Sequence, residues 1–549
     1  MRSMTRRQLL HLTGSGVVGL ALAACAPITP PATPAPAKAA AKPAAPTAGA
    51  TAPTTVAAAP KPTAAAAPAA PAPKRGGTLT MTHPGDIRDF DGHGLWLRSW
   101  PIMGQIYNTL LRLDPKLDPQ PELAESWKLA EDGRSITLQL RKGVKWHGGR
   151  ELTAEDVTAN VARVQEPATA SQLRPLAQEI AAVETPERHT VILTYKRPHL
   201  AVFDLLDSMQ LVDPEAFGDV KTRGVGTGPF KFAAWDPGNL VRLVRNPEYW
   251  RSGYPLLDEI VVQAANDPES MAVALETKAV HLIEQPTHQA VARFRNSPGL
   301  EVVAVEQWGL AQDMIMNLRR PPFDKPDVRQ AINHAVNRQR FVDIALGGLG
   351  IAACLPIPQS SWAYDPELAR ACEFDVEKSR QLLAQAGLPD GFQATFLARG
   401  NSQPQVQLGQ ILQADLARIN VRIRVETLED AVHEQALSSQ NFDVAAHEYG
   451  RANKDPDTLF RTTSAWRSTN TYSGFEFPEY PQRIDAASAT ADRAQRTRAY
   501  RDLFSYILQG PATLTVAGRY FTFAHLASVR DFAYNLDGME LLERTWIAD

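Results

Sequence analysis

Apolar and polar residues alternate along Thr78-Leu79-Thr80-Met81 directly after the breaker Gly76-Gly77, which predicts a strand opening a folded body. The two-residue period returns at Ile136, Leu138 and Leu140 after the Asp132-Gly133 turn. Thr153 and Asp156 have capping-box spacing ahead of Val157, Val161 and Val164, whose three- and four-residue steps predict a helix. Phe230 and Phe232, a Pro237-Gly238 turn, and the alternating Val241 and Leu243 predict a hairpin, and Asp267-Pro268 predicts a helix start. From Met314 the rhythm lengthens. Val328, Ile332 and Val336 form one helical stripe ended by Gly347-Gly348, and Asp375 caps a helix that stops at Gly387. Leu408, Ile411, Leu412, Leu416 and Ile419 build another helix, with Asp415 as its polar slip, and Val421, Ile423 and Val425 alternate straight after. This alternation of strand and helix predicts an α/β body with helices covering both faces of a sheet.

The first residues read differently. Arg2, Arg6 and Arg7 lead into the apolar stretch from Leu9 to Ala24, the layout of an export signal and too short for a permanent membrane span. Arg6-Arg7 before Gln8-Leu9-Leu10 has twin-arginine spacing. Leu22-Ala23-Ala24-Cys25 is similar to a bacterial lipobox, so Cys25 is the expected lipidation site; the alternative is a plain signal peptide with a chance cysteine. Residues 1–25 are therefore the expected signal. Residues 26–75 are nearly all Ala, Pro and Thr, with too little apolar surface to offset the entropy of ordering, so they are expected to form a disordered tether. An O-glycosylated stalk is the other reading of that composition. The tether reaches between roughly 40 Å as a coil and about 150 Å as polyproline II.

The body from Gly76 onward exceeds what one hydrophobic core usually supports, which predicts two or more lobes. A net charge of −3 with both signs interspersed removes the electrostatic case for nucleic acid or an acidic membrane face as partner. Cys354 and Cys372 are a candidate disulfide in an oxidising compartment, the deciding Cα geometry being set by the fold. Catalysis finds no support: His433-Glu434 and His447-Glu448 each begin a zinc-peptidase pattern, but Leu437 and Arg451 stand where its second histidine belongs. Gly226 and Gly228 lack the lysine of a phosphate-binding loop and read as a tight turn into a strand, and Lys145-Trp146-His147 reads as a surface hairpin. No cofactor and no metal are expected.

Four segments carry a resemblance. They are Leu123-Ala124-Glu125-Ser126-Trp127 with Leu140 to His147 and Leu152 to Val157; Val225 to Phe230 through Arg245 to Trp250; Asn317 to Phe323 with Val328 to Ile332; and Asp455-Pro456-Asp457. In this order they resemble the peptide/opine/nickel family (family 5, cluster C) of solute-binding proteins of ABC importers. Lys278-Ala279-Val280-His281 and Phe90-Asp91-Gly92 depart from its usual Gly-Glu-Val-Asp and Leu-Asp-Pro. The resemblance implies an α/β, two-lobed periplasmic-binding-protein type II-like fold with an extra subdomain inserted in the first lobe. Lobe I would comprise 76–110, 226–310 and 520–549, the insert 111–225 and lobe II 311–519, with a hinge near 314–318 and 515–520. It implies a monomer outside the cytoplasm, in the periplasm or at the cell surface, tied to the membrane only through lipidated Cys25, that delivers a small peptide-like ligand to permease subunits and their ATPases. Presenting the solute to a sensor or chemotaxis protein is the alternative.

Polar and aromatic residues expected at strand ends facing the cleft are Asp91, His93, Trp96, Trp100, Trp308, Tyr449, Arg451, Asn453 and Trp466. In peptide-binding members of the family an aspartate three residues before the Asp-Pro-Asp run pairs with the peptide ammonium. Here that position is Ala452. Peptides with a free amino group are thus expected to bind poorly unless Asp91, Asp313 or Glu448 substitutes, whereas Arg451 offers a planar fork to a carboxylate or phosphate. An opine-like, modified-peptide or glycan-derived solute is the expected ligand.

Overall fold

The opening strand Thr78–Pro84 buries Leu79 and Met81 completely and lies parallel to Glu259–Ala265 on one side and Leu282–Glu284 on the other. Those strands belong to a computed structural model that describes residues 72–549 without 95–96, 450–453, 468–471 and 491; of 97, 307–310 and 449 only the backbone is described. Two long antiparallel strands, Leu300–Met316 and Thr513–Leu526, run through both halves of one eleven-stranded sheet. Their mutual register shifts between Glu306 and Ala311, before the 314–318 stretch expected as hinge. On one side of that shift the sheet continues through 282–284, 78–84, 259–265 and the hairpin Phe230–Asp236/Leu240–Arg245; on the other it continues through 444–449, 393–399 and 422–428.

Successive residues of a strand point to opposite faces, so a strand covered on both faces must be apolar without interruption. Met314-Ile315-Met316 shows this. Met314 and Met316 join a core with Phe341 and Leu412, while Ile315 joins another with Leu397, Phe460 and Trp466. A third core, around Leu79, Trp100, Ile260 and Phe523, serves the first half of the sheet.

A separate four-stranded sheet, in order Ala124–Leu129, Ser135–Leu140, Thr190–Tyr195 and Ile180–Glu187, packs Ile136 and Leu138 with the helix Ala154–Gln165. The capping box starts that helix as expected, the Thr153 N–H donating to the Asp156 carboxylate at 2.9 Å. Val157, Val161 and Val164 form the buried face of that helix, each contributing up to about 1.5–3 kcal/mol.

Two expectations need correcting. The stripe from Val328 to Val336 is not one helix to Gly347 but two, Pro326–Ala335 and Arg338–Ala345. Asn337 divides them because its side chain accepts from the Arg340 N–H at 2.9 Å and caps a new helix. Nor does Trp146-His147 lie on the surface. Trp146 is buried, and His147, its pKa lowered to about 4 by burial, donates from Nε2 to the Gly228 carbonyl at 3.0 Å. This holds the glycine turn against the end of the helix Trp100–Ile106, where a Cβ on Gly226 would come within 2.1 Å of the Ile106 carbonyl oxygen. Cys354 and Cys372 are brought to a Cα separation of 5.9 Å with their sulfurs paired.

Candidate functional site

Where the two long strands change register, a recess open to solvent forms beside them. Its apolar wall comes from Leu355 and Ile357 on the segment after the short strand Gly350–Ala352, and its polar groups include Glu306, Gln359, Tyr364 and Thr515. Glu306 stands opposite Tyr520 in the ladder. Burial pushes its carboxyl up, against the Gln359 N–H and Ser360 hydroxyl that favour its ionised form, and among the described residues its Oε1 has no hydrogen-bond partner.

The predicted ligand residues divide sharply. Asp91 accepts two bonds from Arg163, at 2.8 and 2.6 Å, and one from the His93 N–H. Burial opposes its ionisation, but Arg163 prevails and lowers its pKa. His93 is fully buried between Asn160 Oδ1 at 2.8 Å and the Arg163 guanidinium at 2.7 Å. Since the Asn160 amide already donates to two carbonyls, its oxygen accepts, which puts the imidazole proton on Nε2 and leaves Nδ1 to accept from Arg163. Burial, then Arg163, lower the His93 pKa to about 4, so the ring stays neutral. This pair fastens the segment after the first strand to the helix Ala154–Gln165.

Trp100 is buried with its ring centroid 5.9 Å from that of Phe521, and Trp466 is buried with its Nε1 donating to Asp313 at 3.0 Å. Burial raises the Asp313 pKa to about 8, leaving that carboxyl protonated at neutral pH. Trp308 and Tyr449 lie on neighbouring strands at the register shift, Tyr449 paired with Ala311, and their side chains lie outside the described structure. Trp96, Arg451, Asn453 and Cys25 lie outside the described residues. Of the carboxylates named as substitutes for the missing aspartate, Asp91 is held by Arg163, Asp313 carries a proton, and Glu448 pairs with Arg519 at 2.7 Å.

Sequence reading missed a buried, heavily charged junction around Lys454. Lys454 is fully buried, pairing with Asp207 and, at 2.8 Å, with Asp537, while donating to the Ser208 hydroxyl at 3.3 Å. Burial works against the ammonium, but the two carboxylates outweigh it and its pKa is raised. Next to it the Asp455 N–H donates to the Asp204 carboxyl at 3.0 Å, and Asp455 itself is held bidentately by Arg496 at 2.9 and 2.6 Å. Burial and then the Asp455 charge raise the Asp204 pKa well above the carboxylate range. One signal was present: a lysine before Asp-Pro-Asp, bringing a cation to a helix start. Among the described residues no group of three His, Cys, Asp or Glu that could hold a metal occurs, His433 and His447 included, and no helix is long and apolar enough to cross a membrane.

Residues 118–471 match the family model described as bacterial extracellular solute-binding proteins, family 5, middle. The glutathione-binding protein GsiB of Salmonella typhimurium is 30% identical over 368 residues, 64% of this chain and 68% of that one. GsiB of Escherichia coli O1:K1 / APEC is 26% identical over 491 residues, 83% of this chain and 90% of its own. Among solved structures, the periplasmic binding protein AgaA from A. tumefacien R10, in complex with agropinic acid, superimposes with a TM-score of 0.73 at 26% identity, covering 86% of this chain and 99% of its own. NikA from Brucella suis, in complex with Fe(III)-EDTA, has a TM-score of 0.76 at 20% identity and covers 86% of this chain and 100% of its own, a likeness of fold. A sheet threaded by two long strands, a recess where they change register and a family match across most of the body lead to one identification: the chain belongs to family 5 of the bacterial extracellular solute-binding proteins, the two-lobed substrate-binding proteins of ABC importers.

Proposed function

We propose that this chain captures a small opine-like, peptide-like or glycan-derived solute between its lobes and delivers it to a permease with its ATPases. The carrying observation is the solvent-open recess where the long strands change register, lined by Glu306 from before the shift and by Ala311, Thr515 and Gly518 from beyond it. Relatives named for glutathione and for agropinic acid support a carboxylate-bearing organic ligand. Ala452, in place of the ammonium-binding aspartate, and Arg451 beside it support an anionic anchor, with Trp308, Tyr449 and Asn453 as further contacts. A ligand that touches both lobes favours closure by its differential affinity for the closed arrangement. The lipobox supports an extracytoplasmic protein held by lipid on Cys25, and the paired Cys354 and Cys372 suit that oxidising setting. Cys25→Ala should then move the protein from the membrane to the soluble fraction.

The ligand reading is tested by mass spectrometry of small molecules released from the purified protein, followed by thermal unfolding with each one. A true ligand at 100 times its Kd raises stability by about 2.7 kcal/mol, and Arg451→Ala should reduce that gain. Shifts with free-amino peptides that survive Arg451→Ala and vanish on N-acetylation would refute the anionic anchor.

A further inference from the structure

Resting on that reading of the cleft, we infer that Glu306 is a second anchor that binds a primary ammonium group of the solute, with the apolar part of the solute against Leu355 and Ile357 and the tyrosine rings of Tyr364 and Tyr520 beside the cation. The ligand then carries a cationic group that is held here.

Four observations converge. The carboxyl lines a solvent-open recess and does so beside an apolar wall. Among the described residues its Oε1, shut off from water, has no hydrogen-bond partner and Glu306 forms no ion pair, although Lys, Arg and Asp/Glu pairs are abundant elsewhere. A desolvated carboxylate without a cation is costly, and proteins keep such groups where a ligand completes them. Tyr520 faces it across the ladder, and Tyr364 shares the recess. Burial first, and the Glu306 charge after it, raise the pKa of both phenols, so the carboxyl and the two rings are electrostatic neighbours. A carboxylate flanked by aromatic rings is the arrangement that attracts an organic cation. Finally, Asp91 and Glu448 are each bound to an arginine and Asp313 is protonated, so none of the three carboxyls that sequence offers for an ammonium is free to take one.

The test uses the full chain and two probes of one shape, 2-phenylethylammonium and the uncharged 2-phenylethanol, titrated at neutral pH by calorimetry. The wild type should bind the ammonium at least tenfold more tightly. Glu306→Gln should remove that preference while keeping the binding of the alcohol, and Glu306→Asp should retain part of it; circular dichroism checks that both variants fold. Equal affinity of the wild type for the two probes, no binding of the ammonium, or a preference unchanged in Glu306→Gln would each overturn the inference. Failure of the underlying cleft reading shows separately, as the absence of any co-purified or stabilising solute for the wild type.

Discussion

Lys454 and Glu306 are both charged and both withdrawn from water, yet the protein treats them oppositely. Lys454 has two carboxylates and a hydroxyl around it, contributed by residues nearly 250 positions upstream and more than 80 downstream. Glu306 has backbone and hydroxyl donors nearby but no cation among the described residues. A buried charge with complete partners is part of the framework, because removing any member strands the others. A half-buried charge without a counter-ion leaves the framework under-satisfied, and a ligand can complete it. The recess of about 620 Å³ lined by Leu113, Phe203, Trp362, Arg493 and Arg496 illustrates the first kind despite its size. Its cations are spoken for, Arg496 by Asp455 with Trp362 4.8 Å away and Arg493 by Asp118 at 3.1 Å.

The largest effect expected from this contrast is at Lys454. Lys454→Met leaves Asp207 and Asp537 facing each other in a poorly hydrated junction, which should cost about 3–5 kcal/mol in urea unfolding. Adding Asp207→Asn should recover part of the loss, since one stranded charge is then gone. A loss below about 1 kcal/mol would mean that water reaches the junction and that Lys454 is no framework charge.

How much of this was legible in sequence follows the range of the interactions. The hairpin at 230–245, the capped helix after Thr153 and the helix after Asp267 are set by neighbours a few residues apart, and they form where the pattern put them. The stripe from Val328 to Val336 hid the helix break because the cap made by Asn337 competes with a continuous apolar pattern, the louder signal. The family segments carried the two-lobed fold, since they mark turns and cores spread across the body. Site chemistry was harder. Asp91 and His93 looked free because their partners, Asn160 and Arg163, sit about 70 residues away in the helix Ala154–Gln165. Nothing in the sequence around Glu306 marks it, because only the packing of 351–364 beside that strand turns its surroundings into a recess.

A smaller effect, at Asp313, sharpens the contrast from the acidic side. Its folded pKa of about 8 lies above the ordinary 3.8, so the folded state holds a proton that the unfolded chain has released. Its stabilising contribution is complete below about pH 4 and is lost as pH rises toward 8, by at most about 1.4 kcal/mol per pH unit. Asp313→Asn keeps the neutral shape and removes the titration. Urea midpoints at pH 5 and pH 8 should therefore fall further apart in the wild type than in the variant. An identical difference would show that Asp313 is ionised when folded, and it would return to the carboxylates open to a ligand ammonium.

The smallest effect is expected at Glu306, and its sign matters more than its size. Removing a framework charge destabilises, whereas removing a charge kept for a ligand relieves the empty protein of an under-satisfied group. Glu306→Gln retains the side-chain shape and offers the Gln359 N–H and Ser360 hydroxyl a neutral acceptor. The group is only partly shielded, so solvent screening limits the gain to less than about 1 kcal/mol. Unliganded Glu306→Gln should thus unfold at an equal or slightly higher urea concentration than the wild type at pH 7, while losing the ammonium preference described above. Such opposition of stability and binding is the mark of a functional group held at some cost to the fold. If the variant is instead destabilised by more than about 1 kcal/mol, Glu306 is bonded within the protein as Lys454 is, and the distinction between the two charges collapses.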